Sequence, residues 1–219
     1  MIRLYDYTAS ANCFKVRLLL ALLDRPYERV PVDIFAGESS TPEYLTKNPA
    51  GRTPLLELET GDMIAESNAI LLFLGDGTPF VPASLEERAR VWGALFFEQN
   101  LLEPNVGTAR FWRLTGRDVG REAEWESRRA AGVAALEALE RGLAGRDWLV
   151  GDSPTVADVS LYAYTHVAHQ GAIDMGPYME IAEWLARLEG EPGFVNDLVD
   201  YPPGARAGSA TSSVHDRAS

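Results

Sequence analysis

Apolar and polar residues alternate from Ile2 to Tyr7, the period of a half-buried strand. After the small polar turn Thr8–Asn12 the period changes. Val16, Leu19, Leu20 and Leu23 recur at i, i+3, i+4 and i+7, which predicts a helix over Cys13–Leu23. A second strand follows at Tyr27–Val32, with Pro31 marking a sheet edge because proline cannot donate to a ladder. Thr41-Pro42-Glu43 reads as a helix start, cap first and proline at the first helical position. Pro54 opens a short apolar strand, Thr60-Gly61-Asp62 turns the chain, and Met63–Ala65 returns it. Ser67 then starts a helix carrying Ile70, Leu71, Phe73 and Leu74. The order β-α-β, short helix, β-β-α predicts a parallel pair with a right-handed crossover plus a hairpin, in one four-stranded mixed sheet. This α/β domain spans residues 1–75.

Residues 76–83 are rich in turn formers and lack a period, so they read as a linker. Everything from 84 to 201 has helical spacing, predicting an all-α domain. Ser84 with Glu87 suits a capping box, and Leu85, Ala89, Trp92 and Phe96 mark the expected inward stripe. Pro104 should interrupt that helix, and Gly116 should end the aromatic run at Phe111-Trp112. A further helix is expected from about Val119 to Leu143, with Val133, Leu136, Leu139 and Leu143 inward. Thr155 and Asp158 cap a mostly apolar helix reaching about His169, which should lie at the centre of its bundle. Shorter helices are expected at Tyr178–Glu189 and Gly193–Val199. From Pro202 periodicity vanishes, so residues 202–219 read as a disordered tail.

The chain has 219 residues, 46% of them apolar, enough for a sizeable core. No apolar run approaches the ~20 residues of a membrane span, and no basic-then-apolar leader is visible. The net charge of −12 argues against nucleic acid or an anionic membrane surface as partner. Cys13 is the sole cysteine, which excludes an internal disulfide and fits a reducing cytoplasm. His166 and His169 at i, i+3, without a cysteine or carboxylate set, are a weak metal signal, so no metal is expected.

The candidate chemistry gathers around Asn48-Pro49-Ala50-Gly51-Arg52-Thr53-Pro54 and Glu66-Ser67. A proline at a strand mouth is a place for a cis bond. Such a turn leaves the Thr53 amide and carbonyl free to pair with an extended peptide. Ser67 at a helix start offers free amides and the positive end of the helix dipole to a carboxylate. Together these read as a docking site for a small acidic peptide. Ser10 lies between the first strand and first helix, where α/β folds gather ligands. Its hydroxyl could hold a thiolate, or simply cap the helix; the Asn12 amide could do either as well. Cys13 reads as a buried apolar residue rather than a redox thiol.

Thr8–Arg17, Asn48–Pro54, Glu66-Ser67 and Ser153-Pro154-Thr155-Val156-Ala157-Asp158, in this order, resemble the cytosolic glutathione transferases from Met1 to about Val199. The resemblance implies a thioredoxin-like N-terminal domain, a helical C-terminal domain, and a homodimer with its site near the subunit interface. It implies a cis bond at Pro54 and a Thr53 backbone that pairs with the cysteinyl unit of glutathione. Glu66 and Ser67 would hold the γ-glutamyl end, with Arg52 near the glycyl end. Asp158 would be structural. Ser10 matches the activating serine of serine-type members, while Asn12 resembles the asparagine of bacterial members that reduce disulfides, so the thiolate's partner stays open between them. The implied activity is attack of the glutathione thiolate on a small hydrophobic electrophile, with Phe97, Leu101, Phe111 and Trp112 as candidate pocket walls. Glutathione-dependent disulfide reduction and a non-catalytic binding protein of the same fold are the rival readings.

Overall fold

The structure is a computed structural model describing residues 1–202 and 205. Its first domain comprises β1 (Arg3–Asp6), α1 (Ala11–Leu22), β2 (Glu28–Pro31), α2 (Pro42–Lys47), β3 (Leu55–Glu57), β4 (Met63–Ala65) and α3 (Ser67–Gly75). The strand order is β2-β1-β3-β4, with β1 and β2 parallel and β3 antiparallel to both of its neighbours. The strand carrying Pro31 is thus an edge, as its missing donor requires. Ser10 and Thr41 cap α1 and α2, each accepting from the amide three residues on.

The second domain holds α4 (Leu85–Phe97), a π-helical segment Glu98–Gly107, α5 (Thr108–Thr115), α6 (Glu122–Leu143), α7 (Val156–Thr165) and α8 (Met179–Glu189). Pro104 lies within the π-helical segment, whose wider register absorbs the donor that proline lacks. Gly116 ends α5 in the left-handed region. All ten residues of α7 are buried. Its start is pinned by the fully buried Asp158, which accepts from Thr155 N (2.8 Å), Leu149 N (3.0 Å) and the Trp184 indole on α8 (3.0 Å).

Four expectations are corrected. On α4 it is Val91 and Leu95 that are buried; Leu85 and Phe96 are 69% and 67% exposed, Ala89 is exposed and Trp92 only half-buried. A lone stripe predicts one buried face, and two adjacent stripes of α4 are apolar, so burial had to choose. The helix expected from Val119 starts at Glu122, leaving Val119 exposed. The helix expected to reach His169 ends at Thr165, and a short 3₁₀ turn, Ala168–Gly171, follows.

Lastly, Gly193–Val199 is not helical. Gly193 sits at φ 83°, where a Cβ would meet the Ala21 carbonyl at 2.8 Å. The chain runs on without regular structure beside the first domain, where Asp197 receives Arg17 at 2.9 Å. Apart from Pro202 and Ala205, the expected disordered tail lies outside the described residues.

Helix α1 joins the domains. It packs on α3 and on α7, so both of its faces are covered. Lys15 and Arg17 are consequently buried alongside Phe14, Val16, Leu19 and Leu20. Each of these two cations has a carboxylate: Lys15 meets Glu98 at 2.8 Å, and Arg17 meets Asp6 and Asp197.

Candidate active site

The first-domain half of the site forms where three backbone features meet. The Thr53–Pro54 bond is cis. Ahead of it, the Arg52 carbonyl is held by the Tyr44 hydroxyl and the Asn48 amide, each at 2.8 Å. The Thr53 amide and carbonyl take no hydrogen bond among the described residues, so an extended ligand strand can pair with them. Glu66 stands at φ 70°, an uncommon conformation for a residue with a Cβ, and it delivers Ser67 to the start of α3. Ser67 is buried, and its hydroxyl donates to Asn12 Oδ1 at 3.2 Å while lying 3.5 Å from the Lys15 ammonium.

Ser10, Asn12, Arg52, Thr53, Pro54, Glu66 and Ser67 all line one cavity of about 340 Å³. The Ser10 hydroxyl accepts from Cys13 N at 3.3 Å, so the cap is real, and its own proton faces no stronger acceptor than the neutral Cys13 thiol. Cap and donor are therefore not alternatives. Cys13 is fully buried, and burial pushes its thiol up to about 12, which keeps it protonated and out of the chemistry. Glu103 reaches the cavity from the π-helical segment. Burial raises its carboxyl above the usual range, with Lys15, Arg52 and the Asn12 amide pulling the other way.

A cis-proline turn, a serine at a strained helix entry and a capping serine lining one cleft now have a counterpart among known proteins. The family model of the glutathione S-transferase N-terminal domain matches residues 9–76, and that of the C-terminal domain matches residues 122–202. A zeta-class glutathione S-transferase of Euphorbia esula is 32% identical, over 96% of this chain and 95% of that one. The chain belongs to the glutathione S-transferase family.

This is a family of glutathione-dependent enzymes. A maleylacetoacetate isomerase of Rhizobium meliloti is also 32% identical, over 78% of this chain and 84% of its own length. The crystal structure of a glutathione S-transferase from Pseudomonas fluorescens superposes with a TM-score of 0.88 at 41% identity, covering 90% of this chain and 99% of that one. The fold expected from the sequence, a thioredoxin-like domain followed by a helical domain, is that of the family.

The other half of the cavity belongs to the helical domain and to the loop after β2. Of the four candidate walls only Phe111 lines it. Phe97 packs against the main core, Leu101 is half exposed on the outer side of the π-helical segment, and Trp112 turns to the Arg121 guanidinium. The walls that sequence reasoning missed are Phe35, Glu103, Gly107, Arg110, Arg117, Tyr164 and Tyr201. Phe35 and Phe111 stack with planes 14° apart, and the Tyr201 ring meets Phe111 edge-on at 5.2 Å. No period marks such residues, because they come from several segments far apart in the chain. The one signal in the chain was Tyr201, an aromatic residue set beyond the last helix.

No group of three or more histidine, cysteine or carboxylate side chains among the described residues could hold a metal ion. No helix among them is long and apolar enough to cross a membrane.

Proposed function

We propose that this protein binds glutathione along Thr53, Glu66 and Ser67, lowers the pKa of its thiol with the Ser10 hydroxyl, and directs the thiolate at a small electrophile in the aromatic half of the cavity. The observation that carries this reading is the Ser10 hydroxyl itself. It lines the cavity while capping Cys13 N, and its proton, shared with the weakly accepting Cys13 sulfur, turns to the stronger acceptor that a glutathione thiolate provides. The Asn12 NH₂, the group that could donate to sulfur, serves the Glu103 carboxyl while its oxygen accepts from Ser67, which favours Ser10 as the partner of sulfur and gives Asn12 the task of orienting Ser67.

The energy suffices. A free thiol ionises near ~8.5. A hydroxyl donating to a charged sulfur contributes ~1.5–3 kcal/mol, and the start of α1 adds ~0.3–1. At 1.36 kcal/mol per unit this lowers the thiol by roughly 1.3–3 units, placing it near or below neutral pH. The thiolate then attacks the electrophilic carbon; an S–C bond forms, and the leaving group departs or a proton adds. Arg52 lies toward the glycyl end.

The test is a thiolate absorbance titration of glutathione bound to the purified protein. A bound-thiol pKa well below that of free glutathione is expected. Saturable binding with an unshifted pKa would overturn activation and leave a glutathione-binding protein.

Isomerisation, the activity for which the Rhizobium meliloti relative is named, is a second reading supported by that likeness. There the thiolate adds and later leaves, so glutathione is not consumed. Measuring glutathione loss per turnover separates the two. Exposed Phe73, Phe96 and Leu101 on α3, α4 and the π-helical segment support a homodimer in which these side chains are covered. Sedimentation of Phe96→Glu should then shift toward the monomer, and an unchanged species would count against it.

A further inference from the structure

The helical half of the cavity holds a cation with no anion. Arg110, on α5, is 2% exposed. Its Nε donates to Gln170 Oε1 at 2.6 Å and its Nη1 reaches the Ala9 carbonyl at 3.5 Å. Its Nη2 is buried with no acceptor, and no carboxylate lies within ion-pair distance of the guanidinium among the described residues. The other two most deeply buried cations, Lys15 and Arg17, are both paired. A buried unpaired charge is costly, and proteins keep one only where something else compensates it. Tyr201, a wall of the cavity, lies 5.2 Å under the guanidinium; its hydroxyl interacts with Arg110 but is neutral at ordinary pH, since burial raises its pKa, so it offers the guanidinium no charge. The Ala9 carbonyl ties Arg110 to the residue next to Ser10, and Ser10 and Arg110 line the same cavity.

We propose that the second-substrate half of the cavity is built for an aromatic carboxylate, whose anionic end is received by Nη2 of Arg110 while its ring lies among Phe35, Phe111 and Tyr201. This rests on the glutathione reading above and narrows its electrophile from a neutral apolar molecule to an acid. A guanidinium is suited to the task, since its planar fork matches a carboxylate, and Gln170 and Ala9 hold it pre-oriented. The stacked rings supply flat apolar walls.

Binding tests this without turnover. The probes are two glutathione conjugates, S-(4-carboxybenzyl)glutathione and S-benzylglutathione, titrated by calorimetry into the full chain. The acid conjugate should bind at least ~10-fold tighter, the size of one charge-assisted contact. In Arg110→Met the ratio should fall to about one, whatever common factor the substitution applies to both. Gln170→Glu, which gives the guanidinium an internal carboxylate, should lower the ratio too, and serves if Arg110→Met fails to fold. Equal affinities in the wild-type protein would overturn the proposal, as would a ratio preserved in a folded Arg110→Met. If glutathione itself fails to bind, the glutathione reading falls, and 4-methylbenzoate is titrated alone. Binding lost in Arg110→Met or Gln170→Glu would keep the inference, and no binding would end it.

Discussion

The buried pair between Lys15 and Glu98 offers the sharpest test of how the two domains hold the site. Both side chains are fully buried, and the ammonium sits 2.8 Å from one carboxylate oxygen. The other oxygen accepts from Asn68 at 3.0 Å. At an effective dielectric constant of ~20 the gross attraction is about 6 kcal/mol, but removing each ion from water costs several. The net value of the pair against an apolar replacement is therefore near zero. Removing one partner is different, since it strands the other charge in the core.

Glu98→Leu and Lys15→Met should each cost about 3–5 kcal/mol, and the double variant should recover most of that. The coupling energy from urea unfolding, followed by both circular dichroism and tryptophan fluorescence, should exceed ~2 kcal/mol. The double variant should still bind glutathione more weakly, because the ammonium lies 3.5 Å from the Ser67 hydroxyl and nothing replaces it. Single costs that simply add, with coupling below ~0.5 kcal/mol, would show that the pair is not what makes these charges tolerable, and the argument would fail.

Ser10→Ala removes a cap and a thiol donor at once, so it should lower stability by ~1 kcal/mol and raise the bound-thiol pKa by about 1–2 units. An unchanged titration would move the activating role to Asn12. His166 is packed between Phe14 and Tyr162, and burial lowers its pKa to about 4 despite the Tyr162 carbonyl. The unfolded chain takes up that proton near ~6.5, so the contribution is complete above that pH and lost as pH falls toward 4, by up to ~3 kcal/mol. His166→Phe should flatten the stability curve in that window, and an unaltered slope would refute the assignment. A Cβ at Gly107 would stand 2.7 Å from the Tyr164 ring. Gly107→Ala should cost ~1–3 kcal/mol and push Tyr164 into the cavity, lowering affinity for S-benzylglutathione more than for glutathione. Equal losses for the two ligands would place the strain elsewhere.

The sequence by itself determined what is local. Strand alternation, the proline at the mouth of β3, the caps at Ser10, Thr41 and Thr155, and the order of elements are set by residues within a turn or two of each other, and they carried the sheet topology and the first-domain half of the site. Tertiary structure decided what depends on which surface meets which. It buried Val91 and Leu95 of α4 rather than the neighbouring stripe, and covered both faces of α1 so that Lys15 and Arg17 needed carboxylates from distant segments. It also drew residues 193–199 out of helix against the first domain. The aromatic walls and Arg110 belong to this second group. A pocket wall is a single side chain from each of several elements, with no spacing along the chain to betray it, and a buried arginine is legible as unpaired only once every possible partner has been placed.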